Sequence, residues 1–447
     1  MRVTELIRID LELYVLLAAW VFLSSIFNPL AYLLVPIVVA FIHRGKFFEV
    51  IISLLFVLIL SDSANASLAW VKSFKTFFIL TLGLVYAFKW NQNRYHSGLI
   101  RYFIPFLAFA VYCISYSPIP LESFQKTLSY FLIFLIVPSL TLELIKSEGK
   151  ESVFRIVVFG FLILLIGYFS DFFGFLSGVD KEKVGRISGL FGNPNGLGIF
   201  VVNFLCLAVA VKSICGKFGG KYFYTFLIGF TIFLTVKTGS RGALMSMMAL
   251  LICVEFFKLS TWLGLMFILI FIFLYQYISE FIIRILIAVG LQEELRLENI
   301  AEGSGRLIVW AFAWENIQES FFAGKGFGFD RFLTRANYIL LSRKGHEGGV
   351  HNSYLMIWLN TGIIGLTLWL RGMVLIIIAG AKNTKAAWPI LISLFLSAFF
   401  EGWLVGSLNP YTSMLLITFT IMAAPNLIGK EEMEKIDAKQ DLKVAAT

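Results

Sequence analysis

The chain has 447 residues, of which 59% are hydrophobic and only 15% charged, and its mean hydropathy is +0.84. A soluble domain is about 45–50% apolar and about 25% charged, so a soluble enzyme is excluded; 47 Phe, 16 Tyr and 10 Trp exclude a disordered chain. The net charge of +9 would suggest nucleic acid in a soluble protein, but in a membrane protein it reads as cytoplasmic loop cations, and no nucleic-acid partner is expected.

A helix needs roughly 17–25 apolar residues to span a bilayer. In chain order, apolar segments fall at 12–27, 29–42, 47–61, 73–88, 99–117, 127–145, 153–176, 195–214, 221–236, 242–257, 260–283, 352–379, 387–404 and 411–428. Segment 29–42 is short and is expected either to pair with 12–27 as a hairpin around Asn28-Pro29 or not to span. The fold class is therefore an all-α polytopic membrane protein with twelve to fourteen transmembrane helices. No A-x-A cleavage site follows the first apolar run, so that run is expected to be retained. Cys113, Cys206, Cys215 and Cys253 lie in or beside apolar runs and read as packing residues.

The N-terminal spans (about ten or eleven) occupy 1–283, a long loop follows at 284–350, about three more spans occupy 351–429, and 430–447 is a polar tail. With the N-terminus in the cytoplasm, the cytoplasmic loops and termini hold twenty Lys and Arg against eight in the short outer loops. That bias puts both termini inside and the long loop outside. The loop carries eight cations and eight acids. Within it Leu307, Trp310, Ala311, Trp314, Ile317 and Phe321 recur at helical spacing, which predicts an amphipathic helix lying on the outer membrane surface. Gly324, Gly326 and Gly328 then mark a turn; without a preceding strand they are no dinucleotide fingerprint. The chain has no P-loop, HExxH or GxSxG, no DxD, and no His pair at ligand spacing, His346 and His351 included. No metal or cofactor is expected.

Asp171, Glu255, Arg371 and Glu401 fall near the ends of their segments, so ionisable residues deep in spans, the mark of ion-coupled transport, are scarce. Polar residues gather instead in four clusters on one side: Gly185-Arg186 with Gly192-Asn193-Pro194-Asn195-Gly196; Thr238-Gly239-Ser240-Arg241-Gly242; Gly303-Ser304-Gly305-Arg306; and His351-Asn352-Ser353-Tyr354. Taken singly, each has a bland reading. Arg at a helix end snorkels to headgroups, Gly-Asn-Pro-Asn-Gly starts a helix, and a lone His forms an interfacial hydrogen bond. Taken together, they suit a diphosphate. Arg offers a planar, permanently charged fork for phosphate oxygens, and Gly admits the backbone. His351, before a helix N-terminus whose dipole disfavours imidazolium, is the candidate general base. Arg cations can supply the charge stabilisation that a metal supplies elsewhere.

These residues resemble the O-antigen ligase/polymerase superfamily of bacterial inner-membrane glycosyltransferases. The resemblance rests on Phe191-Gly-Asn-Pro-Asn-Gly-Leu, Thr238-Gly-Ser-Arg-Gly-Ala-Leu, the large loop from Gly305-Arg306, His351-Asn-Ser-Tyr-Leu, and Gly362-Ile-Ile-Gly365, and covers roughly residues 185–370. It implies an architecture like that of GT-C enzymes and a glycan donor on undecaprenyl diphosphate at the periplasmic face. A ligase passes the glycan to a sugar hydroxyl of lipid A–core; a polymerase passes it to another lipid-linked repeat. Neither ATP nor metal is implied. Carried over by motif, His351 is the base, Arg306 and Arg241 bind and stabilise the diphosphate, and Arg186 assists. Asn193, Asn352 and Tyr354 join them as expected substrate-binding residues. Asn360 stands where the family often has Glu. Ligase is the leading expectation and polymerase the close alternative; no appended soluble domain supports an oligosaccharyltransferase. A flippase for the same lipid-linked sugars would need polar residues along a path through the membrane, whereas here they cluster at one face.

Overall fold

The computed structural model describes residues 3–90, 98–173, 186–216, 219–274, 305–345 and 348–429, with scattered positions in 284–290 and 433–438. Gly185, Gly303, Ser304, His346 and most of the 430–447 tail lie outside the described residues. Among those described there is helix but no strand, as the hydropathy pattern demands of a chain that must satisfy its backbone within lipid.

The described residues of each of the fourteen apolar segments are largely helical. The first ones form α1 (Val3–Ile9), α2 (Leu11–Ile26), α3 (Leu34–His43), α4 (Phe47–Ser61), α5 (Trp70–Trp90) and α6 (Ile104–Ile114). They are followed by α7 (Pro120–Glu148), α8 (Glu151–Phe172), α9 (Pro194–Cys215), α10 (Gly220–Thr238), α11 (Arg241–Leu259) and α12 (Thr261–Phe273). The long loop contributes α13 (Arg306–Glu319), α14 (Phe329–Ala336) and α15 (Tyr338–Arg343), and the last spans are α16 (Ser353–Ala381), α17 (Ala387–Phe400) and α18 (Pro410–Ile428). Among the described residues, seven helices are long and apolar enough to cross a membrane, and others are apolar but only 10–17 residues long. Segment 29–42 is one of the short ones. It enters as a 3₁₀ turn, Asn28–Leu33, packed against α2, where Trp20 Nε1 donates to Ala31 O at 3.0 Å.

Capping explains where the central helices begin. Asn193, Asn352 and Asn409 each precede a helix, and each side-chain oxygen accepts a backbone N–H from the first turn. Pro194 and Pro410 follow two of them at the position where a missing N–H costs nothing. α18 is buried from Pro410 to Ala424 and packs against α7, α9 and α16, so it forms the axis of the bundle.

Two expectations about the loop region change. First, the bundle takes one face of α13. Val309, Ala313 and Ile317 are its buried face, packed on α16, and Leu307 is 61% exposed. The period was legible: Ile317 of the expected stripe is buried with Val309 and Ala313, while Leu307 and Trp314 stay exposed. Trp310 Nε1 donates to Val350 O at 2.8 Å, and Trp314 meets Trp358 edge-on at 5.4 Å.

Second, α16 is not one continuous helix. Gly362 has φ 64° and ψ −177°, and breaks it into two. The Phe321–Gly326 turn fills the break: Gly326 N donates to Asn360 O, Lys325 N to Leu359 O, and Ile363 N to Phe321 O, at 2.8–3.1 Å. The backbone groups released by the kink are thereby satisfied inside protein. A Cβ on Gly362 would lie 2.2 Å from the Phe322 carbonyl carbon, and one on Gly324 would lie 2.5 Å from the Asn360 carbonyl carbon, so only glycines allow this approach. Asn360 holds the same junction: it donates from Nδ2 to Asp330 Oδ1 at 2.8 Å and accepts from Asp330 N at 3.0 Å. At this position the amide ties the loop to the bundle.

Candidate active site

The fold brings the ends of several helices around one cavity of about 1230 Å³. Its walls come from α5, α7, the approach to α9, the start of α13, α14, and the segments 349–351 and 401–411. Arg186, Asn193, Arg306 and His351 all line it, although up to 165 residues separate them in sequence. Arg241, Asn352 and Tyr354 are not among its lining residues. Asn352 is occupied as a cap, with Oδ1 accepting from Tyr354 N and Leu355 N at 3.0 and 3.1 Å. Tyr354 donates its hydroxyl to Phe395 O at 3.0 Å. Arg241 opens α11 in the tight turn after α10, beside Gly239, which is left-handed at φ 59°.

At one wall Glu401 joins two of the expected residues. Its Oε1 accepts from Arg306 Nη2 at 2.7 Å, and its Oε2 lies 3.0 Å from His351 Nδ1. A carboxylate bridging to a guanidinium can only accept, so Nδ1 carries the N–H and, when the imidazole is neutral, the lone pair is on Nε2. Arg306 and Glu401 are 23% and 10% exposed and His351 is 37% exposed, so the two charges are shielded while the imidazole reaches the cavity.

Local structure fixes all three. α17 ends at Phe400, and Glu401 turns into extended backbone. Ser353 Oγ donates to the Glu401 carbonyl at 2.7 Å. Asn409 Nδ2 donates to Trp403 O and Gly406 O, bracing the loop beyond. Trp310 ties Val350 to α13, whose first residue is Arg306. His351 itself sits at φ 48°, a conformation few non-glycine residues adopt, and the bonds on either side hold it there.

The opposite wall is made by the Asn-Pro-Asn motif. Arg186 Nε donates to Thr238 O at 2.6 Å and Nη2 to Asn195 Oδ1 at 2.9 Å, tying α9 to the end of α10. Asp171 accepts from Ser188 N and Gly189 N and shapes the approach. Asn193 caps α9 at the cavity edge. Between the walls Tyr411 donates its hydroxyl to Asp62, and burial raises the Asp62 carboxyl above its ordinary range. Lys75, Lys126, Arg331 and Arg335 add four more lining cations, so the cavity is basic: six Lys and Arg against Asp62, Glu122 and Glu401. Ile79, Leu80, Leu128 and Leu132 form an apolar strip between α5 and α7 in the same cavity.

Residues 223–370 match the family model described as O-antigen ligase. The match shows a likeness to the O-antigen ligase/polymerase superfamily over that segment. The matched segment is about a third of the chain and contains Arg241, Arg306 and His351, while Arg186, Asn193 and Glu401 lie outside it. No curated protein matches the chain. Enzymes of this superfamily are glycosyltransferase-like and act in O-antigen processing.

Glu401 is the residue that motif reasoning passed over. It is 50 positions from His351, at the end of a span, with nothing around it in sequence to mark a site. One signal was available. If α16 starts on one face and α17 runs back, Glu401 must return to the face of His351. Asp62, Lys75 and Lys126 follow by the same counting of spans. Among the described residues no group of three His, Cys, Asp or Glu has a metal-binding arrangement.

Proposed function

We propose that this protein is an O-antigen ligase. It moves a glycan from undecaprenyl diphosphate to a sugar hydroxyl of lipid A–core at the periplasmic face of the inner membrane, both termini being cytoplasmic. The observation that carries the reading is the Arg306–Glu401–His351 chain lining a basic cavity. A diphosphate leaving group needs cations, an acceptor hydroxyl needs a base, and the chain offers both within two contacts. The apolar strip between α5 and α7 supports a lipid-linked donor, since a polyprenyl tail needs an apolar wall continuous with the polar end.

In the proposed reaction the acceptor hydroxyl gives its proton to His351 Nε2 as its oxygen attacks the anomeric carbon. The bond from that carbon to the diphosphate oxygen breaks, and the electron pair leaves with the diphosphate toward Arg306. Attack and departure on opposite sides invert the anomeric configuration. Glu401 holds the ring with Nε2 forward and balances the imidazolium as it forms. Arg306 stabilises charge that grows only as the bond breaks, which lowers the barrier rather than merely the KM. Arg186 and Asn193 hold the other wall. Asn352 and Tyr354, occupied in a helix cap and in a bond to Phe395 O, are assigned no contact with substrate, and Arg241 keeps its proposed role toward the diphosphate.

The test is reconstitution of the purified protein with an undecaprenyl-diphosphate glycan and lipid A–core. Glycan-capped core is the expected product. Longer lipid-linked chains without capped core would make it a polymerase, and translocation of the lipid without transfer would make it a flippase.

A further inference from the structure

Away from the His351 wall, the cavity holds a second concentration of charge. Arg331 and Arg335 lie one helical turn apart on α14, on the same face. They meet Lys126 of α7 and Lys75 of α5 on the cavity surface. Arg331, Arg335 and Lys75 all act electrostatically on Lys126, opposed by Asp330, and Asp62 acts on Lys75. Among the described residues, Lys126, Arg331 and Arg335 make no ion pair and no side-chain hydrogen bond. Lys75 donates to two neutral acceptors, Ser61 Oγ and Leu408 O, each at 3.2 Å. The nearest acid on α14, Asp330, is buried with its carboxylate bonded to Asn360.

Like charges brought together with fewer counter-ions than cations oppose folding. The arrangement contrasts with Arg306, which has its own carboxylate. A group of cations converging on a cavity, largely uncompensated, is complementary to an anion of more than one charge. A glycan transfer has two substrates in one cavity. The proposed reaction places the donor's diphosphate at Arg306, so the second basic pole falls to the acceptor.

We propose that Lys75, Lys126, Arg331 and Arg335 form an acceptor subsite that binds a phosphate group carried by the acceptor saccharide. The proposal rests on the transfer reading above. It makes acceptor choice depend on charge: the subsite holds the phosphorylated sugar while the hydroxyl to be glycosylated reaches His351. Arg331 and Arg335 are exposed on the loop helix, so replacing them leaves the bundle packing intact.

The experiment uses the full chain in lipid nanodiscs, with a donor whose glycan is uncharged and one acceptor saccharide in phosphorylated and dephosphorylated forms. Wild-type kcat/KM is expected to favour the phosphorylated form by about tenfold or more, the scale of a charge-assisted contact. The Arg331→Gln/Arg335→Gln variant brings that ratio close to one, through acceptor KM, and Arg331→Lys/Arg335→Lys retains most of it. Equilibrium binding of the phosphorylated acceptor without donor is measured in parallel and weakens by the same factor. A variant that keeps the wild-type preference and binding overturns the proposal, as does a variant whose donor KM rises instead. Wild-type protein that binds the phosphorylated acceptor selectively but transfers nothing overturns the transfer reading and leaves the subsite standing; wild-type protein that does neither overturns both.

Discussion

Among the described residues, Arg155 and Arg306 both meet carboxylates, and they do so differently. Arg155, on the first turn of α8, donates from Nε to both oxygens of Asp10 at 3.1 Å and from Nη1 to Glu148 at 2.6 Å. The Phe48 ring covers it at 3.7 Å. Its charge is more than balanced, and the cluster locks α1, α4, α7 and α8 together. Asp171, near the far end of α8, shapes the approach to the cavity and lies about 24 Å from Arg155 along that helix. Arg306 has one carboxylate, which it shares with an imidazole, and it opens onto a cavity with surplus cations. A closed, charge-balanced cluster serves packing. An open cluster with uncompensated charge can do chemistry, because its charge still has a partner to find.

Mutation should separate the two regions. The largest effect on transfer is expected from His351→Ala. Loss of a positioned base lowers kcat by about 10²–10⁴-fold. Glu401→Gln should follow, since a neutral amide no longer balances Arg306 or fixes the imidazole tautomer; a loss on the order of 10²-fold or more is expected, mainly in kcat. Arg306→Ala should cost about 10²–10³-fold in kcat, with partial recovery in Arg306→Lys. Thermal unfolding of His351→Ala should stay near wild type. Arg155→Ala should do the reverse. Stranding Asp10 and Glu148 costs about 3–5 kcal/mol of stability, while the protein that remains folded keeps its kcat. If Arg155→Ala abolished kcat in fully folded protein, the division between the two regions would fail.

A smaller effect is expected from Asp62→Asn. Burial raises the folded carboxyl above its unfolded value, so the stability linked to its proton is present at low pH and lost as pH rises through the raised value. The Asn side chain still accepts from Tyr411 and carries no proton to lose. Melting temperature measured against pH should therefore fall less steeply for the variant above the ordinary carboxylate range. Equal slopes would mean that Asp62 titrates normally.

The membrane class and the positions of the helices were legible because hydropathy alone dictates them. The caps at Asn193 and Asn352 were legible from short-range chemistry, although the capping role removes Asn352 from the cavity. What sequence could not carry was the choice of partner over distance. Val309, Ala313 and Ile317 became the buried stripe of α13 because α16 was there to receive them. Gly362 broke its helix because a loop nearly forty residues earlier fills the gap. Glu401 reaches His351 only because two spans return to one face. Lys126 and Arg331 read as ordinary loop charge until the fold put them in one cavity.

The most direct measurement is single-turnover glycan transfer from undecaprenyl diphosphate to lipid A–core by purified wild-type, His351→Ala and Glu401→Gln proteins, with donor binding measured on the same samples. Both variants should bind donor like wild type and transfer at least about 10²-fold more slowly, His351→Ala the slowest. Transfer by His351→Ala at the wild-type rate would contradict the assignment of His351 as the base.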